Sequence, residues 1–227
     1  MKKIFFITLS LAGLLSACEL DNYPGPTASL SGTIIDDETG EPVQQDIIRG
    51  TVIELTEHGY DPVQPQYLII KNDGSYENSR LFANTYTVQP VRGNFIAVEP
   101  QEVAIKENTK LDFHVIPYIR VKDVSIEKAG TIIKATFRLE QTVPNNIVKI
   151  GLYAHPDPHV GEPMAIARTE QELHRPVSDD ELFTLELDPA AHTEFLKQGN
   201  TYFFRVGALI DVGEAKFNYE AAVAIAI

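Results

Sequence analysis

Tryptophan is absent, cysteine occurs once and methionine twice in 227 residues. A single cysteine excludes an intrachain disulfide framework and any cysteine-built zinc cluster. Positive charge is scarce: 19 Lys and Arg face 32 Asp and Glu, leaving −13. That is the wrong sign for a phosphate-backbone binder, so nucleic acid is excluded as a partner. No apolar run reaches the length of about 20 residues that a membrane-crossing helix needs. Gly-x-Ser-x-Gly, a P-loop, Gly-x-Gly-x-x-Gly and His-Glu-x-x-His are all missing, which points away from an enzyme and implies no cofactor. With 32 acids, some carboxylate pair always falls at a glycosidase separation, so that criterion separates nothing.

What is present is an ordinary globular composition, 44% hydrophobic, with a distinctive start. Lys2 and Lys3 precede a mostly apolar run from Ile4 to Leu15, and Leu15-Ser16-Ala17-Cys18 closes it. A short basic start, an apolar stretch and small residues before a cut mark an export signal. The Leu-Ser-Ala-Cys end resembles a bacterial lipobox, with residues 1–17 removed and Cys18 acylated as the new first residue. An ordinary signal peptide with an incidental Cys is the plainer alternative. Acyl chains at Cys18 would anchor the protein to the outer membrane. Glu19-Leu20-Asp21-Asn22 behind it is similar to the surface-export signal of Bacteroidetes lipoproteins, against a periplasm-facing alternative. Removing residues 1–17 takes away two lysines and no acid, so the net charge falls to −15.

Residues 18–27, with Pro24-Gly25-Pro26, read as a turn-rich linker. Beyond it, short β-branched or aromatic runs alternate with turn clusters. Strands are expected at residues 29–35, 50–56, 66–71, 85–91, 102–105 and 110–116, with turns at Asp36–Gly40, Asn72–Gly74 and Arg92–Asn94. A second series follows Pro117, at residues 119–126, 131–139, 148–154, 182–187, 201–210 and 217–225. No helical period is long enough for a crossover, so the expected fold is all-β, two antiparallel β-sandwich domains in tandem. Their bounds are residues 28–117 and 118–227. One short helix is expected in the second, capped by Asp188, started by Pro189, running through Gln198 and stopped by Gly199.

Leu30-Ser31-Gly32-Thr33-Ile34-Ile35-Asp36, Thr39-Gly40-Glu41-Pro42-Val43 and Asn72-Asp73-Gly74-Ser75-Tyr76 resemble the transthyretin-like, carboxypeptidase-regulatory sandwich. Gly199 to Ala208 is similar to the F strand of immunoglobulin-like and fibronectin type III domains. Tyr202 would then form a tyrosine corner, its hydroxyl bonding back to the preceding loop. Over the whole chain, Cys18 to Pro26, Gly40-Glu41-Pro42-Val43, Pro65-Gln66-Tyr67-Leu68 and Pro117-Tyr118-Ile119-Arg120-Val121 resemble one two-domain Bacteroidetes lipoprotein family. The resemblance implies a place beside starch-utilisation-type uptake systems and brings no functional residues to carry over.

His155-Pro156-Asp157-Pro158-His159 is the most metal-like string, but two prolines forbid a helical ligand pair and no third ligand is evident. Asp36-Asp37-Glu38 with Asp46 offers hard oxygens to Ca²⁺, although a solvated hairpin tip accounts for the same residues. Asp179-Asp180-Glu181 reads as a solvated run. For a sugar, Tyr60 and Tyr67 flank the Pro-stiffened loop Asp61 to Gln66, with Gln64 and Gln66 as planar hydrogen-bonding partners. The competing reading has both tyrosines packed down on the sandwich. The functional expectation is a non-catalytic, lipid-anchored surface protein that serves glycan or nutrient uptake alongside an outer-membrane transporter and its binding lipoprotein. A structural spacer or docking module is the second reading, and a secreted hydrolase the third.

Overall fold

The computed structural model describes residues 24–227; the expected signal peptide, Cys18 and the acidic run behind it lie outside the described residues. Residues 24–27 are exposed and have no regular structure.

The first sandwich contains β1 (Ala28–Asp36), β2 (Val52–Glu57), β3 (Gln66–Ile69), β4 (Ser75–Leu81), β5 (Asn84–Val91), β6 (Gln101–Ile105), β7 (Asn108–Lys110) and β8 (Phe113–Val115). One sheet runs β4-β1-β7 with β8 also on β1, and the other runs β3-β2-β5-β6. β1 alternates strictly, burying Ala28, Leu30, Gly32, Ile34 and Asp36, as a strand with one face on a core must. Ile53, Leu55, Tyr86, Val88 and Phe113 complete that core. The single strand expected at 110–116 is instead two short pieces, β7 and β8, each parallel to β1. Gly32 explains the break, because a Cβ there would lie 1.8 Å from the Leu111 carbonyl oxygen.

The second sandwich contains β9 (Ile119–Ala129), β10 (Ile132–Gln141), β11 (Ile147–His155), β12 (Ala167–Arg175), β13 (Phe183–Leu187), β14 (Thr201–Ile210), β15 (Asn218–Tyr219) and β16 (Val223–Ala226). Its sheets run β13-β10-β9 and β12-β11-β14-β15, with β16 also on β14. Phe137, Leu139, Ile150, Leu152, Phe183, Phe204 and Val206 fill the space between them. The expected helix is shorter than its propensity suggests. Asp188 caps it through Ala190 N–H, but only the 3₁₀ turn Pro189–His192 forms. The residues behind it serve Tyr202, whose hydroxyl donates to Phe195 O (3.0 Å) and accepts from Lys197 N–H (2.8 Å). That is the tyrosine corner, and it takes the chain that would have extended the helix.

β11 and β14 break the alternation of a one-sided strand. Gly151 to Ala154 and Phe204 to Ala208 are buried on both faces. Their outer face is covered by a second small cluster, Tyr153, Val160, Phe217 and Tyr219, and that cluster leads into the first sandwich.

Candidate functional site

The two sandwiches meet through a buried hydrogen-bond network rather than an apolar seam. Arg205, in the apolar run Phe203-Phe204-Arg205-Val206, is 1% exposed. Its guanidinium donates to Gln45 O (3.0 Å), Val160 O (3.0 Å), Glu220 O (2.7 Å) and Gln44 Oε1 (3.1 Å). Its Cζ lies 4.4 Å from the Tyr219 ring centroid. Tyr219 in turn donates its hydroxyl to Asp46 Oδ2 at 2.6 Å and accepts from Glu162 N–H.

Asn94 is the hub on the first sandwich. Its amide nitrogen donates to Gln44 O (2.9 Å) and Phe217 O (3.0 Å), and its Oδ1 accepts from Gln45 Nε2 (2.9 Å). Its backbone carbonyl accepts from Asn218 Nδ2 (2.8 Å) and Tyr118 N–H (3.0 Å). Thr51 closes the set by donating to Gln45 Oε1. Buried hydrogen-bonded groups specify one geometry, because any shift strands a desolvated donor or acceptor at roughly 1–3 kcal/mol each.

A second tie lies at the rim. Arg120 bonds both carboxylate oxygens of Asp36 and also reaches Glu38 and Glu140. These groups line a cleft of about 550 Å³ between the domains, with Pro42 and Tyr219 on its walls. Asp36 departs from both readings of the acidic turn. Asp36 is 5% exposed and spends its oxygens on Arg120, so it is neither a Ca²⁺ ligand nor part of a solvated tip. Burial raises the Asp36 pKa, but the Arg120 guanidinium and the Glu38 N–H outweigh burial and leave it lowered.

Asp46 likewise turns inward, to Tyr219. Its Oδ1 has no partner, and burial pushes its pKa up to about 6 against the hydrogen bond from Tyr219 and the charge of Arg205. A folded pKa above the unfolded one means the native state holds the extra proton, so the stability tied to Asp46 falls as pH rises from about 4 through 6. Asp46→Asn removes this titration. Its unfolding free energy should change less between pH 5 and 7.5 than the parent's by about 1.5 kcal/mol, a value that follows from the shift to about 6. Denaturant titrations at the two pH values measure it.

The His155–His159 loop is likewise spent locally. Asp157 Oδ1 accepts from the backbone N–H of His159 (2.8 Å) and lies 2.6 Å from its Nδ1, while His155 Nδ1 accepts from Asp157 N–H. Among the described residues no three His, Cys, Asp or Glu side chains gather to hold a metal ion.

The tyrosines do not pack down. Tyr60 is 62% and Tyr67 51% exposed, and Gln64 and Gln66 are exposed too. They do not converge on one surface, however. Tyr60 lies in the loop before β3, with no ring contact to Tyr67 among the described residues. Gln66 and Tyr67 alternate to opposite sides of β3. Neither Gln64 nor Gln66 makes a side-chain hydrogen bond among the described residues.

Tyr67 instead joins residues that sequence reasoning did not single out. On the outer face of the β3-β2-β5-β6 sheet it sits opposite Glu54, which is opposite Gln89, while Ile69, Val52 and Val91 form the next row. The carboxylate of Glu54, its cross-strand neighbour, raises the pKa of the Tyr67 hydroxyl. Arg92 lies over the Tyr67 ring, 5.6 Å from guanidinium carbon to centroid. Gln89 is held by donating to Val98 O. This is an aromatic ring bordered by planar polar groups on a rigid sheet. The only sequence signal for these partners is the outward parity of Glu54, Gln89 and Tyr67 on their strands, and that needs the pairing register.

Comparisons follow this geometry over both domains. No curated protein matches the chain. A solved structure from Bacteroides uniformis, described as a "putative carbohydrate binding protein", is 36% identical and covers 89% of this chain and 100% of its own, with a TM-score of 0.82. A DUF3823 family protein from Bacteroides ovatus is 26% identical over 88% of this chain and 98% of its own, with a TM-score of 0.72. Another, from Parabacteroides merdae, is 20% identical over 89% and 100%, with a TM-score of 0.76, and shows the same fold. Two family models, "Protein of unknown function (DUF3823) N-terminal domain" and "Domain of unknown function (DUF3823_C)", match residues 28–116 and 119–224. The chain therefore belongs to the DUF3823 family.

Proposed function

We propose that the protein binds glycan without catalysing a reaction, through the outer face of the β3-β2-β5-β6 sheet, as a surface lipoprotein accessory to outer-membrane nutrient uptake. The observation that carries the reading is Tyr67: half exposed, with the Arg92 guanidinium over its ring and Glu54 opposite it on β2. Sugars need an aromatic face for the apolar side of the ring and planar side chains for the hydroxyls, and this face supplies both without tryptophan. The 36%-identical relative named for carbohydrate binding supports the same reading.

Affinity electrophoresis through gels containing a panel of polysaccharides tests it. At least one polysaccharide should retard the protein, and Tyr67→Ala should weaken that retardation up to about tenfold, within the roughly 0.5–1.5 kcal/mol an aromatic contact contributes. No retardation by any polysaccharide, together with co-purification of a transporter, favours the docking module instead. New reducing ends from oligosaccharides would reveal a hydrolase. Anchoring through Cys18 accounts for the location, and protease treatment of intact cells should degrade the protein; full protection turns it toward the periplasm.

A further inference from the structure

Beside Tyr67 the outer face runs into a pocket of about 370 Å³ whose charged lining residues are Arg49, Arg92 and Lys216, with no acid among them. On a chain of net charge −13, such a pocket runs against the field of the whole molecule. None of the three cations makes an ion pair or a side-chain hydrogen bond among the described residues, although acids outnumber cations throughout the chain. Ile69, 63% exposed, and Val52 form its apolar floor, and Arg92 connects it to the Tyr67 ring.

The three cations come from three separate loops, and each loop is tied down by the buried network below it. Arg49 follows Gln45 and Asp46, which bond Asn94 and Tyr219. Arg92 precedes Asn94. Lys216 precedes Phe217, whose carbonyl accepts from Asn94, and its own N–H donates to Gly93 O at 3.3 Å. Arg49 and Arg92 both hold left-handed backbone, φ +63° and +55°, which non-glycine residues adopt only when their surroundings impose it. The cluster is therefore preorganised, and it is incomplete without the second sandwich. On the sheet face beside it, Glu54 sits opposite Tyr67 and is not among the pocket's lining residues.

We infer that this pocket receives an anionic group of an acidic glycan, a carboxylate or a sulfate ester, whose sugar ring lies on Tyr67 and Ile69. The inference rests on the glycan-binding reading and narrows its ligand. Two arginines supply paired N–H donors for planar carboxylate or sulfate oxygens, and Lys216 supplies a mobile third charge. The overall negative charge then rejects polyanions that cannot reach this one pocket.

Affinity electrophoresis of the full chain with matched pairs tests the inference: polygalacturonate against its methyl ester, and dextran sulfate against dextran. The acidic member of at least one pair should bind at least tenfold more tightly than its neutral partner, and added salt should weaken that binding. Arg49→Ala and Lys216→Ala, both at the pocket rim, should each reduce it severalfold with unchanged thermal unfolding. Preference within the first pair assigns carboxylate and within the second assigns sulfate. Equal binding of neutral members, unmoved by Lys216→Ala, overturns the anionic ligand and leaves the glycan reading standing. No retardation by any of the four overturns the anionic ligand, and no retardation across the wider polysaccharide panel overturns the glycan reading as well.

Discussion

Replacing Arg205 by alanine should lower stability by about 3–5 kcal/mol, the range for breaking a buried, fully bonded charge. The cause lies in what it leaves behind. The buried carbonyls of Gln45 and Val160 lose their donor, as do the partly buried Glu220 carbonyl and Gln44 side chain. Asp46, already short of a partner at Oδ1, loses the nearby positive charge that offsets its burial. For a chain of this size the loss corresponds to a fall in melting temperature of roughly 10 °C. Arg205→Lys keeps charge but not the fork and should fall in between. Because two of the four acceptors belong to the first sandwich, the unfolding transition should also broaden or divide as the domains uncouple. Differential scanning calorimetry reads both effects, and an Arg205→Ala transition within 2 °C of the parent's would remove the junction from the account.

The second large effect is expected at Gly50. A Cβ there would sit 1.8 Å from the Asp46 carbonyl oxygen and 2.8 Å from its carbon. The obstacle is backbone, so no rotamer change relieves it; the 46–50 turn has to open. Gly50→Ala should therefore cost about 3 kcal/mol, at the upper end for overpacking, and move Arg49 out of the cationic pocket. Chemical denaturation gives the first number, and the acidic-glycan gel gives the second as loss of the charge preference. Gly161 is a milder version. Its Cβ would meet Asp46 Oδ1 at 2.0 Å, but a side-chain oxygen can retreat where a main-chain carbonyl cannot.

Much of the architecture is legible in the chain, for a physical reason that also explains the misses. β1 and β10 alternate because one face meets a core, and their Leu30, Ile34, Phe137 and Leu139 announce it. β4 and β12, Ser-Tyr-Glu-Asn-Ser-Arg-Leu and Ala-Arg-Thr-Glu-Gln-Glu-Leu-His-Arg, are sheet-edge strands with largely solvent-facing side chains. Charged edges protect against edge-to-edge association and leave no hydrophobic period to read. Arg205 is a visible anomaly, a charge inside an apolar run, but three of its four acceptors are backbone carbonyls, which every residue possesses. Asn94 and Gln45 look like turn residues until the partner domain closes over them.

The candidate site shows the same division. Tyr67 stands out because a Pro-stiffened loop precedes it, and its exposure follows from the short β3 at a sheet edge. Its partners Glu54 and Arg92 are distant in sequence and meet it only through strand register and the turn after β5. Asp36 and Asp46 read as solvated turn acids, with Ca²⁺ the lesser alternative, because acids in turns usually face water. Here the second sandwich brings Arg120 and Tyr219 to them instead.

The two sandwiches form one rigid unit, held by a buried polar network that also fixes the turn carrying Arg92 beside Tyr67. Scanning calorimetry of the intact protein tests it most directly. One transition is predicted, with calorimetric and van't Hoff enthalpies equal and roughly 140 kcal/mol absorbed near 60 °C for about 200 ordered residues. Two resolved transitions, or a van't Hoff enthalpy near half the calorimetric value, would show that the sandwiches unfold independently and contradict the account.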